Sequence, residues 1–179
     1  MNMGIEIGYR LFDKDLNLVE EGPFRKANSL VRAFIELLAV QMGQAALNIT
    51  NSNNGVVSTG ANSLNLSLVS NTALVGAIIG TGTTAVTIDD YKLETQVSAN
   101  INHGYSDTWI KEVDANTIYL YIVRMLVNTT ASDVAIKEVG LATDDVNSAY
   151  YILLERTLIN ITFKAYHSLE LTYRFKISL

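Results

Sequence analysis

The C-terminal run SLELTYRFKISL alternates without a break, with Leu169, Leu171, Tyr173, Phe175, Ile177 and Leu179 on one side and Ser168, Glu170, Thr172, Arg174, Lys176 and Ser178 on the other. Successive side chains of an extended strand point to opposite faces, so a strict period of two predicts a strand with one dry and one wet face. Such a strand suits an antiparallel sheet, since purely parallel sheets bury both faces. IYLYIVRMLV is different: Ile118, Leu120, Ile122 and Leu126 occupy one face, and Tyr119, Tyr121, Val123, Met125 and Val127 the other. Both faces ask for burial and only Arg124 interrupts them. That pattern predicts a central strand, lying between the sheet core and either a helix or a neighbouring subunit.

The remaining segments extend this β reading. Ile5 to Phe12 alternates as a strand, DKDLN is a turn, and Leu18 and Val19 begin a return strand, so residues 2–24 form an N-terminal hairpin. KANSLVRAFIELLAVQMG is the one helical pattern, over 27–43: Leu30, Phe34, Leu37, Leu38 and Gln41 follow helical spacing, Asn28 or Ser29 can cap it, and Gly43 can close it. Val31, Ile35 and Val40 widen its apolar surface. Residues 48–74 are an Asn/Ser-rich excursion with a turn at Asn54 and Gly55, and 75–179 carry the main strands. No helical crossovers separate the strands after Val113. The expected fold is therefore a mainly β single domain over 1–179: an antiparallel β-sandwich, jelly-roll or immunoglobulin-like, with one N-terminal helix packed on it.

Composition narrows function mostly by exclusion. The chain has 179 residues, no cysteine, a formal net charge of -5 and only 17% charged residues, so its polarity comes largely from Asn, Thr and Ser. Absence of cysteine excludes thiol catalysis and thiolate metal sites. No Lys/Arg cluster marks a nucleic-acid surface, and the apolar stretches IYLYIV and LVGAII are too short to span a bilayer. The N-terminus lacks the apolar core of a signal peptide, which predicts synthesis in the cytoplasm.

Candidate chemistry is sparse. IIGTGTTAV lacks the third glycine of a dinucleotide fingerprint and the Gly-Lys-Ser/Thr of a P-loop, so it reads as a turn in which Gly80 and Gly82 supply positive φ. His103 and His167 lack a partnering metal motif. The pairs Asp89, Asp90 and Asp144, Asp145 lack the alternating spacing of a calcium loop. Sequons at Asn48, Asn65, Asn128 and Asn160 fit chance in an Asn/Thr-rich chain. No nucleophile–base pair or opposed carboxylates are marked, and the reading is non-enzymatic, with no catalytic, cofactor or metal residues.

Several segments, taken in order, carry a resemblance: SLVRAF from Ser29 to Phe34, GTGTTAVTIDDYKLET, EVGL from Glu138 to Leu141, LLERTLI, and the final alternating strand. In this order they resemble a family of small virion structural proteins of tailed viruses, of bacteria or archaea. The resemblance implies a particle component, made in the host cytoplasm and located in the virion, as capsid decoration, head fibre or tail part. In the residues themselves, Tyr91 and Leu93 can anchor the Gly/Thr segment in the core while Asp89 and Asp90 stay at the surface. Gly140 marks a close approach, and Arg156 can pair with Glu138 or Glu155.

The expected partners are further copies of the chain and other virion proteins such as major capsid or tail proteins, with neither nucleic acid nor membrane. Tyr119, Tyr121, Val123, Met125, Val127, Phe34 and Leu38 are the expected subunit-interface residues. A glycan-binding adhesion module is the alternative, using Trp109, Tyr105 and Tyr91.

Overall fold

A computed structural model describes residues 2–27, 29–43, 45–59, 72–144 and 150–178. Its elements run β1 (Asn2–Phe12), β2 (Leu18–Lys26), β3 (Ser29–Leu30), α1 (Arg32–Gln41), β4 (Leu47–Thr50), β5 (Val56–Thr59), β6 (Gly76–Gly80), β7 (Ile101–Asp114), β8 (Thr117–Asn128), β9 (Val134–Asp144), β10 (Tyr151–Phe163) and β11 (Ser168–Ser178). The strands form a five-stranded sheet in the order β2-β1-β11-β8-β7, a four-stranded sheet in the order β3-β10-β9-β6, and the separate pair β4-β5. Every pairing is antiparallel. The architecture is mainly β with one short helix near the N-terminus.

The alternating run at the C-terminus supplies the middle of the larger sheet. β11 pairs with β1 from Asn2↔Ser178 to Phe12↔Ser168, and on its other side with β8. Its dry face is dry only in part: Leu169, Leu171 and Tyr173 are fully buried, whereas Ile177 is exposed. A single apolar core joins the two larger sheets, with Ile7, Ile122, Leu126 and Leu171 from one and Ile78, Leu141, Leu154 and Phe163 from the other. Gly140 does mark a close approach: a Cβ there would lie 2.9 Å from Leu153 Cδ1 and 3.1 Å from the Glu155 carbonyl oxygen.

Turn chemistry follows the residues expected of it. Asp13 Oδ1 accepts hydrogen bonds from the amides of Asp15 and Asn17, both at 2.9 Å, which reverses the chain between β1 and β2. Asn54, at φ 58°, turns the β4-β5 hairpin while Asn51 Oδ1 accepts from Gly55 N at 3.0 Å. That hairpin is more than a surface excursion, since Ile49 and Val57 are buried in the core. Residues 60–71 of the excursion lie outside the described residues, as do Asn28, Asn65, Asp145 and Leu179.

The helix is shorter than its periodicity suggests. Ser29 and Leu30 pair with Arg156 and Glu155 as β3, and Val31 N donates to Leu154 O at 3.0 Å, so β10 captures the chain before it can coil. Val31 is then the N-cap, without a side-chain cap bond, in place of Asn28 or Ser29. Gly43, at φ 97°, ends the helix as expected. Ala33, Phe34, Leu37 and Val40 form its buried face, while Ile35 points to solvent. No helix among the described residues is long and apolar enough to cross a membrane.

Candidate functional site: the outer face of the five-stranded sheet and the network behind it

β8 is flanked on both sides, by β11 and β7, so the alternation of its side chains divides two environments. Ile122, Arg124 and Leu126 turn inward and are buried. Tyr119, Tyr121, Val123, Met125 and Val127 turn outward and remain half-buried. The helix does not cover this outer face, because α1 packs on β10 and β4. Phe34 belongs to the chain's own core, its ring stacked on Phe175 at 5.9 Å, and Leu38 packs against the same core.

Strand register arranges the outward residues into a belt. Trp109 lies directly opposite Tyr121, and their rings stack at 5.4 Å with an interplanar angle of 10°. Tyr119 tilts against Tyr121 at 5.8 Å. The Arg174 guanidinium sits 4.7 Å from the Tyr119 ring centre and 3.7 Å from that of Phe24, and its Nε donates to Glu6. Phe24 reaches it because Gly8 leaves room: a Cβ at that position would be 3.2 Å from the Phe24 ring. Cation–π contacts of this exposed kind contribute about 0.5–1 kcal/mol each. Tyr9, Phe24, Trp109, Tyr121 and Glu170 help line a shallow groove of about 160 Å³ on this face. Sequence reasoning found the outward residues of β8 and, separately, Trp109. It missed Phe24 and Arg174, whose roles depend on cross-strand register.

The motifs that carry the family resemblance meet elsewhere, in one polar network. Glu138 is fully buried on β9 and accepts from Gly82 N at 3.0 Å, Glu94 N at 3.1 Å, Thr95 N at 2.8 Å and Arg156 Nε at 2.7 Å. Arg156 therefore pairs with Glu138, and its other nitrogens reach Asp90 at 2.9 Å and Thr84 Oγ1 at 3.2 Å. Glu94 accepts from Thr83 N and Thr84 N, and Asp89 pairs with Arg32 at the start of α1. Asp90 is consequently drawn into the network and away from the surface. Gly80 and Gly82 are not positive-φ turns. They are glycines because a Cβ would lie 2.5 or 2.6 Å from Glu138 Oε1.

Electrostatics agree with this geometry. Burial is the largest influence on Asp90 and pulls its pKa upward, but the hydrogen bonds from Arg156 and Thr87 outweigh it and hold the carboxyl below its ordinary value. Glu94 is lowered chiefly by the Thr84 amide. Arg124, buried among the carbonyls of Thr72, Val75, Ala77 and Gly104, is brought down to about 10 by desolvation and so stays charged at neutral pH.

The two histidines lie apart in role. His103 is buried on β7, while His167 sits in the turn before β11 with Nδ1 2.8 Å from Ala165 O. Among the described residues no group of three or more His, Cys, Asp or Glu is placed to hold a metal. Tyr105 and Trp109 are exposed, and Tyr91 is partly so.

Two outcomes follow. Arg156→Met leaves the buried Glu138 without its cation, and should lower unfolding free energy by about 3–5 kcal/mol in a urea titration. His103 is held down to about 4 by burial and by the Arg124 charge, so the unfolded chain binds its proton first as pH falls. This contribution is full above about pH 6.5 and is lost progressively towards about pH 4. Stability measured across that window should fall with pH in the wild type and fall less steeply in His103→Leu. No family model, curated protein or solved structure matches the chain.

Proposed function

We propose that the chain is a structural component of a tailed-virus particle, assembling with further copies or decorating the capsid or tail, and located in the virion. The observation that carries assembly is the half-exposed aromatic belt on the outer face of β7 and β8, an apolar surface that no described element covers. The viral setting rests on the ordered motifs SLVRAF, GTGTTAVTIDDYKLET, EVGL and LLERTLI. Side chains of the last three meet in one largely buried network, which suits a scaffold whose interior is fixed and whose surface does the work.

The finer fold reading is a β-sandwich of immunoglobulin-like type. Its support is strand adjacency: β1-β11-β8-β7 facing β10-β9-β6 repeats the neighbour relations of the A-B-E-D and G-F-C sheets, traced in a different chain order. A jelly roll sends successive strands to opposite sheets, whereas here β1-β2, β7-β8 and β9-β10 are hairpins within one sheet.

A second reading, glycan binding, is favoured by the stacked Trp109 and Tyr121 rings beside Glu21, Glu170 and Arg10 in the groove. Light scattering over a concentration series separates the two. Assembly predicts a defined multiple of 19.6 kDa that Tyr121→Arg weakens by tenfold or more, because a charge replaces a central aromatic anchor. A monomer at every concentration that binds a glycan array through Trp109 would replace assembly with the second reading.

A further inference from the structure

We infer that two copies join edge to edge through β7, in antiparallel register about a two-fold axis at Trp109, to make one continuous sheet. The inference rests on the assembly reading above and names the surface and register that reading leaves open.

An open sheet edge presents unpaired backbone groups, and proteins commonly blunt it with proline, charge, bulges, short strands or a covering segment. Three of the four edges of the two larger sheets are blunted in this way. β2 carries Glu20, Glu21, Gly22 and Pro23 and two register shifts against β1. β3 has only two residues. β6 is buried along its length, with Val97 N donating to Ile79 O and Gly80 bridged to Gln96. β7 is the least protected: it is a 14-residue edge strand without proline, its two register shifts against β8 lie near its ends, and Tyr105, Trp109 and Ile110 on it are 65%, 45% and 70% exposed.

The register follows from the strand itself. Irregularities between His103 and Ser106 and between Glu112 and Asp114 leave Ser106 to Glu112 as the regular stretch against β8, and Trp109 is its midpoint. A two-fold axis there sets Asp107 opposite the partner subunit's Lys111, and Lys111 opposite the partner subunit's Asp107. Both residues are exposed, and among the described residues neither has a salt-bridge partner. Opposite charges directly across an antiparallel pair are favourable, and like charges are not. Asp107, Trp109 and Lys111 share the outer face, so the Trp109–Tyr121 stacks of both copies would run together across the junction. On the other face Ile110 meets the partner subunit's Thr108. An interface of this kind is isologous and closes on itself.

The chain has no cysteine, which makes the register directly readable by disulfide trapping. Asp107→Cys and Lys111→Cys are prepared separately, and oxidised alone and as a mixture, with light scattering on the same samples. The mixture should yield a covalent dimer. Each variant alone should not, because like positions are four residues out of register, about 13 Å apart, against a disulfide reach of about 7 Å. Trp109→Cys, at the axis, should trap a dimer alone. Lys111→Asp should weaken dimerisation at least tenfold, and Asp107→Lys combined with Lys111→Asp should restore it. An oligomer that persists while the mixture fails to cross-link overturns pairing through β7 and leaves assembly through another surface standing. A monomer that never cross-links overturns both. Equal cross-linking of each variant alone and of the mixture also overturns this register.

Discussion

The ion pair between Glu138 and Arg156 is the contact on which the rest of this structure depends. Two charges withdrawn from water cost several kcal/mol each, and attraction between them offsets this only when the remaining hydrogen-bonding capacity is filled. Here it is filled by the chain's own backbone: the amides of Gly82, Glu94 and Thr95 all point at one carboxylate. A segment with little regular secondary structure, from Thr81 to Asn100, thereby acquires a fixed path across the four-stranded sheet. Asp90 and Asp89 extend the same bond pattern outward, the first to Arg156 and the second to Arg32 at the mouth of the helix. The conformational entropy lost in ordering this segment is offset by a few charged contacts.

This arrangement separates what holds the fold from what meets the surroundings. The four-stranded sheet is buried in its middle, with β10 covered on both faces from Tyr151 to Thr157. The five-stranded sheet is buried on one face only, and its other face carries rings and cations that satisfy one another incompletely. Flat aromatic surface in the middle of a regular edge strand suits recognition of another rigid surface, because little side-chain freedom remains to be lost on contact. The buried charges play no part in that surface, so changes there would act on stability before they acted on association.

How much of this was legible in the sequence depended on range. Period-two alternation at Ser168 to Ser178 and the two-sided run at Thr117 to Val127 predicted strands in the right places. The Gly43 stop and the Asn54 turn were equally local and equally readable. What failed was whatever depended on a distant partner. Ser29 and Leu30 look helical in isolation but are taken by β10. Gly80 and Gly82 look like turn residues, yet the reason for them is a carboxylate more than fifty positions away in the chain. Phe24 and Arg174 meet only because register brings β2 and β11 to the same patch across Gly8 of β1. Motif order pointed to Glu138 and Arg156 without saying that both are buried.

The central claim is that the exposed edge and outer face of β7 are where this chain meets another. Amide hydrogen exchange recorded at low and high protein concentration tests it most directly, since edge amides are protected only when something pairs with them. The account predicts that amides within Ser106 to Glu112 slow markedly as concentration rises, while those of β2, the opposite edge, are unchanged. Equal exchange in β7 at both concentrations, in a sample whose mass shows association, would contradict it.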